Sequence, residues 1–377
     1  MSKLSSKRDS MLGFQPPAIG EEEIAAVTET LRSGWLTSGP RAAELERRMA
    51  EFLDAEHVLA LASGTAALHL SLVALGVGPG DEVITSPITW PATANVIVHT
   101  GATPVFVDVR EDDLNIDPAL AAAAVTPQTK VILPVDLAGQ PADLEPLLEL
   151  GLPVVEDAAH AAESRYRGRK VGTIADATCF SLYATKNIAA GEGGLIATNR
   201  DDVAQAVQDL RQMRRGDGSV YDIPVPGYKA NLSDVLAAIA LCQLDKVEQH
   251  REIRQRQFAL YDNAVAELDG ITPLARDARD VHALHLYIVR VDPEVAGATR
   301  DEYQRALREE NISTSIHFLP VHRLTWYRER LPNQARLPIA ECAGDEILSL
   351  PLSPAHSDDD IGDVIAALRR VYERFTS

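Results

Sequence analysis

Between residues 57 and 198 the chain alternates short apolar runs with helical stretches, and no other feature limits the fold as much. The runs read as strands at 57–61, 81–85, 103–107, 130–134, 153–156, 178–182 and 194–198. A helix opens at Ala62-Ser63-Gly64-Thr65 and runs to about Leu75, and another spans 91–99. Strand–helix alternation with short apolar strands predicts an α/β domain around a mainly parallel sheet. Two helices precede it, over 24–31, ended by Ser33-Gly34, and over 42–52, where Leu45, Met49 and Phe52 share a face.

From about Asn231 the chain becomes helical and charged, with one long periodic stretch from Leu236 through Phe258 and onward. A strand at 284–291, a helix at 300–309, a strand at 312–318 and an amphipathic helix at 359–375 follow. These form a smaller α+β domain, as a length of 377 residues would suggest. The expected division is an N-terminal tail over 1–12, a large ligand-binding domain over 13–245 and a small C-terminal domain over 246–377.

Lys plus Arg number 36 against 55 Asp plus Glu, a net charge of −19. That acidic field argues against nucleic acid or an anionic membrane as partner, although a local cationic pocket still admits an anionic small molecule. Cys179, Cys242 and Cys342 are too few and too scattered for a disulfide framework or a zinc cage, which fits a reducing cytoplasm. No apolar run approaches the roughly 20 residues that span a bilayer. The opening MSKLSSKRDSML lacks the apolar core of a secretory signal and reads as a partly disordered tail.

Four features of the larger domain carry chemistry together. Ser63-Gly64-Thr65-Ala66 places small residues at a strand-to-helix turn, where free N–H groups cradle phosphate; taken alone, it is also an ordinary N-cap. Trp90 follows a strand and offers a flat ring to a planar ligand, or to a core or interface. Glu156-Asp157-Ala158-Ala159-His160 sets two carboxylates at the carboxyl end of a strand, where open α/β sheets bind ligands. Either carboxylate could instead cap the next helix. In Phe180-Ser181-Leu182-Tyr183-Ala184-Thr185-Lys186, a lone lysine stands between an apolar strand and the Gly-rich reversal Gly191-Glu192-Gly193-Gly194. Desolvation there would lower its pKa and free an amine nucleophile. A phosphate cradle, a stacking ring, an Asp for a pyridinium nitrogen and a lysine for an aldehyde are the parts of a pyridoxal 5'-phosphate (PLP) site.

The sequence resembles the DegT/DnrJ/EryC1/StrS family of PLP-dependent sugar aminotransferases, of fold-type I. The likeness runs from Ser33-Gly34-Trp35-Leu36-Thr37-Ser38-Gly39-Pro40 to Ser349-Leu350-Pro351-Leu352 and is most specific over Phe180 to Gly194. Gly227-Tyr228-Lys229-Ala230-Asn231-Leu232-Ser233-Asp234 and Ile316-His317-Phe318 resemble the branch that aminates C4 of nucleotide-linked 4-keto sugars. The resemblance implies that Lys186 holds the cofactor as a Schiff base and that Asp157 partners the pyridine nitrogen. By the same likeness His160 lies near the ring's 3-hydroxyl, Gly64, Thr65 and Ser181 hold the phosphate, and Trp90 stacks. Asn231 would reach the cofactor phosphate of the other subunit, making a homodimer with shared sites. Tyr183, His317 and His322 would line the sugar pocket. The chain departs from the family in two places: Asn231-Leu232-Ser233 replaces a common Asn-Tyr-Arg, and Asp136 replaces a common histidine.

The implied reaction passes the amino group of L-glutamate to C4 of a nucleotide-linked 4-keto-6-deoxyhexose. Amination at C3 of a 3-keto sugar, a UDP-4-keto-pentose substrate, and a non-catalytic regulator on the same fold are alternatives. Sugar dehydratases of this fold replace the lysine with histidine, so Lys186 speaks against that chemistry. His282 and His285 would point to opposite faces of a strand, which argues against a shared metal. Arg211, Arg214 and Arg215 form a cationic cluster that could meet a nucleotide diphosphate or simply end a solvated helix. Cys179, within an apolar strand, is expected to be inert, which argues against cysteine desulfuration.

Overall fold

The computed structural model describes residues 7–213, 223, 225–331 and 335–377. The larger sheet is built from β1 (His57–Leu61), β2 (Glu82–Thr85), β3 (Thr103–Phe106), β4 (Thr129–Leu133) and β5 (Val155–Asp157). After a small hairpin of β6 (Arg165–Tyr166) and β7 (Arg169–Lys170) come β8 (Ala177–Ser181) and β9 (Gly194–Thr198). Two ladders, β3-β2-β4 and β1-β9-β8-β5, meet through parallel bridges from Ile132 to Val154 and from Val135 to Asp157. The strand order is therefore β3-β2-β4-β5-β8-β9-β1, parallel except where β9 lies antiparallel between β8 and β1. The expected mainly parallel α/β architecture is observed, and its apolar strands are buried on both faces by helices.

Helices Glu21–Ser33, Pro40–Leu53 and Asp234–Asp245 pack together beside β1, while Gly64–Ala74 crosses β8 and β9. The turn that opens Gly64–Ala74 presses against β9, where a Cβ at Gly194 would collide with the carbonyl of Ser63. Glycine at 194 is thus a steric requirement of that turn.

A second, antiparallel sheet of β10 (Ile271–Pro273), β11 (Tyr287–Val291) and β12 (Ile347–Leu350) lies toward the C-terminus. Helices Val247–Val265, Arg300–Glu309 and Asp358–Thr376 close over it around Tyr261, Tyr287 and Tyr303.

Three local expectations differ from the structure. The long helix from Leu236 is two helices, Asp234–Asp245 and Val247–Val265, with Lys246 between them at φ −99°, ψ −2°. Its ammonium pairs with Glu22 at 2.5 Å and Glu23 at 2.7 Å, which ties the break to the first helix. Residues 312–318 are not a continuous strand, because Ile312 bridges to Leu12 whereas Ser315 bridges to Ser349. Changing partners within three residues prevents a ladder. Nor are residues 8–12 loose: Arg8 pairs with Asp360 and Asp363, and Leu12 is buried in the C-terminal core.

Candidate active site

The carboxyl ends of β5 and β8 open into a cavity of about 460 Å³. Gly64, Thr65, Trp90, Asp157, His160, Ser181, Tyr183, Lys186 and His317 all line it. These residues come from separate loops, and the parallel strands bring those loops to one edge of the sheet.

Lys186 lies beyond β8, its N–H bonded to the carbonyl of Tyr183 at 2.8 Å. Burial lowers its ammonium to about 8, partly opposed by the charge of Asp157. Asp157 ends β5 and is buried. Its Oδ2 accepts from the Thr93 hydroxyl at 2.7 Å and its Oδ1 from the Ala159 N–H at 3.2 Å. Burial raises its carboxyl above the ordinary value, against those two hydrogen bonds and the nearby Lys186. The Thr93 hydroxyl also meets that of Thr89 at 2.7 Å.

At the opposite wall, Ser63 caps the helix Gly64–Ala74 by accepting from the Ala66 N–H at 3.0 Å. Capping and a cradle coexist, since the backbone of Gly64 and Thr65 still lines the cavity. A Cβ at Gly64 would sit 3.1 Å from that of Ser181, so the missing side chain lets the helix start approach β8. Trp90 is 64% exposed, which rules out a core role within this chain. Its ring lies 6.0 Å from that of Phe318.

His160 is buried, and its Nδ1 accepts from the Ala138 N–H at 3.3 Å. Burial and the charge of Lys186 hold its pKa well below the usual range. The neutral ring therefore carries its proton on Nε2. His317 is lowered to about 3, chiefly by burial. Its Nδ1 lies 2.8 Å from Ser349 Oγ, and its ring stacks on Phe14.

One of the residues expected in the sugar pocket is placed elsewhere. His322 does not line the cavity; its Nε2 faces Glu341 Oε1 at 3.3 Å because the short turn Val321–Arg323 directs it there. Asn231, expected to serve the other subunit's site, does not line its own cavity; its Nδ2 donates to Ser38 Oγ at 2.5 Å and its Oδ1 accepts from Lys229. Of the cationic cluster, Arg211 is buried, paired with Glu46 and bonded to the Ala60 carbonyl, so it is not free for a diphosphate. Arg214 and Arg215 lie outside the described residues.

His282 and His285 do not lie in a strand, since β11 begins at Tyr287. Their rings meet different neighbours, Phe258 and His160. Cys179 is buried with its Sγ 3.3 Å from Ser71 Oγ, and burial pushes its thiol far up. Sequence reasoning missed Thr93, Phe14, His285 and Phe318 as wall residues. Thr93 alone left a local trace: it stands three residues after Trp90, near the start of the helix Ala92–His99.

The fold and this cavity fit a PLP-dependent enzyme. The chain belongs to the DegT/DnrJ/EryC1/StrS aminotransferase family, which matches residues 17–369. It is 46% identical over 382 residues to the spore coat polysaccharide biosynthesis protein SpsC of Bacillus subtilis, covering 97% of this chain and 98% of that one. The PLP form of the sugar aminotransferase Spr1654 from Streptococcus pneumoniae superposes with a TM-score of 0.91 at 35% identity, over 97% and 100% of the two chains. DesI, solved in the presence of its TDP-sugar product, gives 0.90 at 32% identity over 98% and 95%.

The residues present fit the cofactor. A desolvated amine shares the cavity with a carboxylate steadied by two donors and with a helix start stripped of side chain at Gly64. No helix among the described residues is long and apolar enough to cross a membrane.

Proposed function

We propose that the protein transfers the amino group of L-glutamate to C4 of a nucleotide-linked 4-keto-6-deoxyhexose, as a cytoplasmic homodimer with shared sites. The observation that carries this reading is the half-buried Lys186 amine in one cavity with Asp157, its ammonium lowered to about 8 by desolvation. Bound PLP supplies an aldehyde for an amine to engage and a ring that withdraws electrons from the carbon bearing that amine.

Lys186 Nζ engages the aldehyde. As a free amine it would accept the α-proton of glutamate and hand it on to the cofactor, and would carry a proton the opposite way, from cofactor to sugar carbon, in the second half of the reaction. A value near 8 suits both duties, because the amine exchanges its proton readily near neutrality. Asp157, oriented by Thr93 and the Ala159 N–H, keeps the pyridine nitrogen protonated. The Nε2–H of His160 is a donor for the ring's 3-hydroxyl oxygen. Gly64, Thr65 and Ser181 receive the phosphate, Trp90 covers the ring, and Tyr183 and His317 meet the sugar.

Charge supports the dimer. Lys186 is the sole lysine or arginine lining the cavity among the described residues, yet glutamate and a nucleotide diphosphate are both anions. A second copy is the source of further cations that this reading favours. Asn231 is bonded to Ser38, and near each in sequence stand exposed apolar side chains, Tyr228 beside Asn231 and Trp35 and Leu36 beside Ser38, of the kind that association covers.

Borohydride reduction of the PLP-loaded protein, followed by peptide mapping, should mark Lys186. NMR of the product from a panel of keto sugars should place nitrogen on C4 of a 6-deoxyhexose. Label at another residue overturns the site, and nitrogen on C3 or on a pentose overturns the substrate reading.

A further inference from the structure

His285 is a second buried imidazole in the cavity wall that the reaction above does not use. Its Nδ1 lies 3.0 Å from Asn187 Oδ1. The direction of that bond follows from the other partners of Asn187. The Asn187 Nδ2 donates to Glu163 Oε2 at 2.5 Å and to the Ala283 carbonyl at 2.9 Å, both of them acceptors. The amide cannot be turned over without setting oxygen against oxygen, so Oδ1 faces His285 and Nδ1 carries the proton. Burial and the nearby Lys186 cation keep this imidazole neutral, which leaves Nε2 bare.

The ring of His285 lies 4.5 Å from that of His160, at 32°. Both residues hang on Ala138, whose N–H serves His160 Nδ1 and whose carbonyl accepts from the His285 N–H at 3.1 Å. Ala138 itself sits in the left-handed region at φ +59°. Behind Asn187, Glu163 is gripped by Arg254 Nη2 at 2.7 and 2.5 Å, from the helix Val247–Val265. A continuous chain of contacts therefore joins Arg254, Glu163, Asn187, His285 and His160, and Asn187 is the residue after Lys186.

We propose that His285 is a positioning residue for Lys186: through its donor bond to Asn187 it pins the lysine loop against His160 and the C-terminal part of the chain. The proposal rests on the reading of Lys186 as the amine that engages the cofactor. Losing the donor would leave the buried Asn187 oxygen unsatisfied, which the loop relieves by moving toward water.

Two substitutions separate positioning from packing. His285→Phe keeps a flat ring beside His160 but has no donor. His285→Asn places an amide nitrogen where Nδ1 stood. Acetic anhydride labelling of the apoprotein, followed by mass spectrometry across pH, reads the Lys186 titration without cofactor or turnover. His285→Phe should move that titration upward by about one pH unit and slow PLP uptake roughly tenfold, whereas His285→Asn should restore both.

Asn187→Ala removes the acceptor from the other side and should reproduce the Phe behaviour, which serves if His285→Phe does not fold. Wild-type behaviour in His285→Phe or Asn187→Ala, or equal impairment in the Phe and Asn variants, overturns the proposal. Borohydride mapping of the wild-type protein tests Lys186 separately, so the two failures are distinguishable.

Discussion

Thr93 donates its hydroxyl to Asp157 Oδ2 at 2.7 Å, across 64 residues of sequence, and is buried with it. The carboxylate that faces the cavity is thereby steadied from the helix Ala92–His99 as well as by the Ala159 N–H just beyond its own strand.

Thr93→Val keeps the shape of that helix start and deletes the donor. Asp157, already raised by burial, should rise further, and the PLP-loaded enzyme should lose about tenfold in kcat/KM. Thr93→Ser should recover most of the loss. Steady-state rates and a pH titration of the cofactor's visible absorbance check both variants.

Lys186 makes the stability of the apoprotein depend on pH in a defined direction. Its folded value is about 8 against an ordinary 10.5. Below about 8 it is protonated whether folded or unfolded, and the buried charge weighs on the fold. From 8 to 10.5 only the unfolded chain still holds the proton, so folding gains as pH rises. Lys186→Met should exceed the wild-type apoprotein in stability by up to about 3 kcal/mol near neutrality, and the gap should close toward pH 10.5. Urea titrations at a series of pH values measure it.

Asp136 and Glu156 are fully buried, interacting carboxyls, with Asp136 Oδ1 accepting from the Ala142 N–H and Glu156 Oε2 from the Thr178 hydroxyl. Burial and mutual repulsion raise Asp136 well above its ordinary value, and burial lifts Glu156 to about 7. Carboxyls raised by folding contribute stability at low pH and lose it as pH climbs through the folded values. Asp136→Asn retains hydrogen bonding and removes one acid. Its Tm should gain on the wild type as pH rises from about 5 through 7 and beyond, as measured by thermal melts.

Much of the larger domain was legible because its signals are local. Apolar runs of strand length, punctuated by helices, give the parallel sheet, and strand ends show where Asp157 and Lys186 must emerge. Phe14, His285 and Phe318 were not legible as wall residues, because distant segments bring them there and no spacing in the chain encodes the approach. The break at Lys246 was hidden for a similar reason: helical periodicity continues through it, while the ion pairs that hold it come from Glu22 and Glu23. Asp136, noted only as a departure from a common histidine, acquires meaning from Glu156 behind it.

The packing of the first described residues bears on how the protein is made. Arg8 meets Asp360 and Asp363 across separations of 352 and 355 positions, and Phe14 stacks on His317 at the cavity. As the ribosome delivers the chain from its amino end, the segment around Arg8 must wait for the helix Asp358–Thr376 before it can dock. The pocket is therefore finished only after His317 and the helix Asp358–Thr376 have emerged, and a nascent chain with its main sheet already assembled still lacks one side of its catalytic chamber.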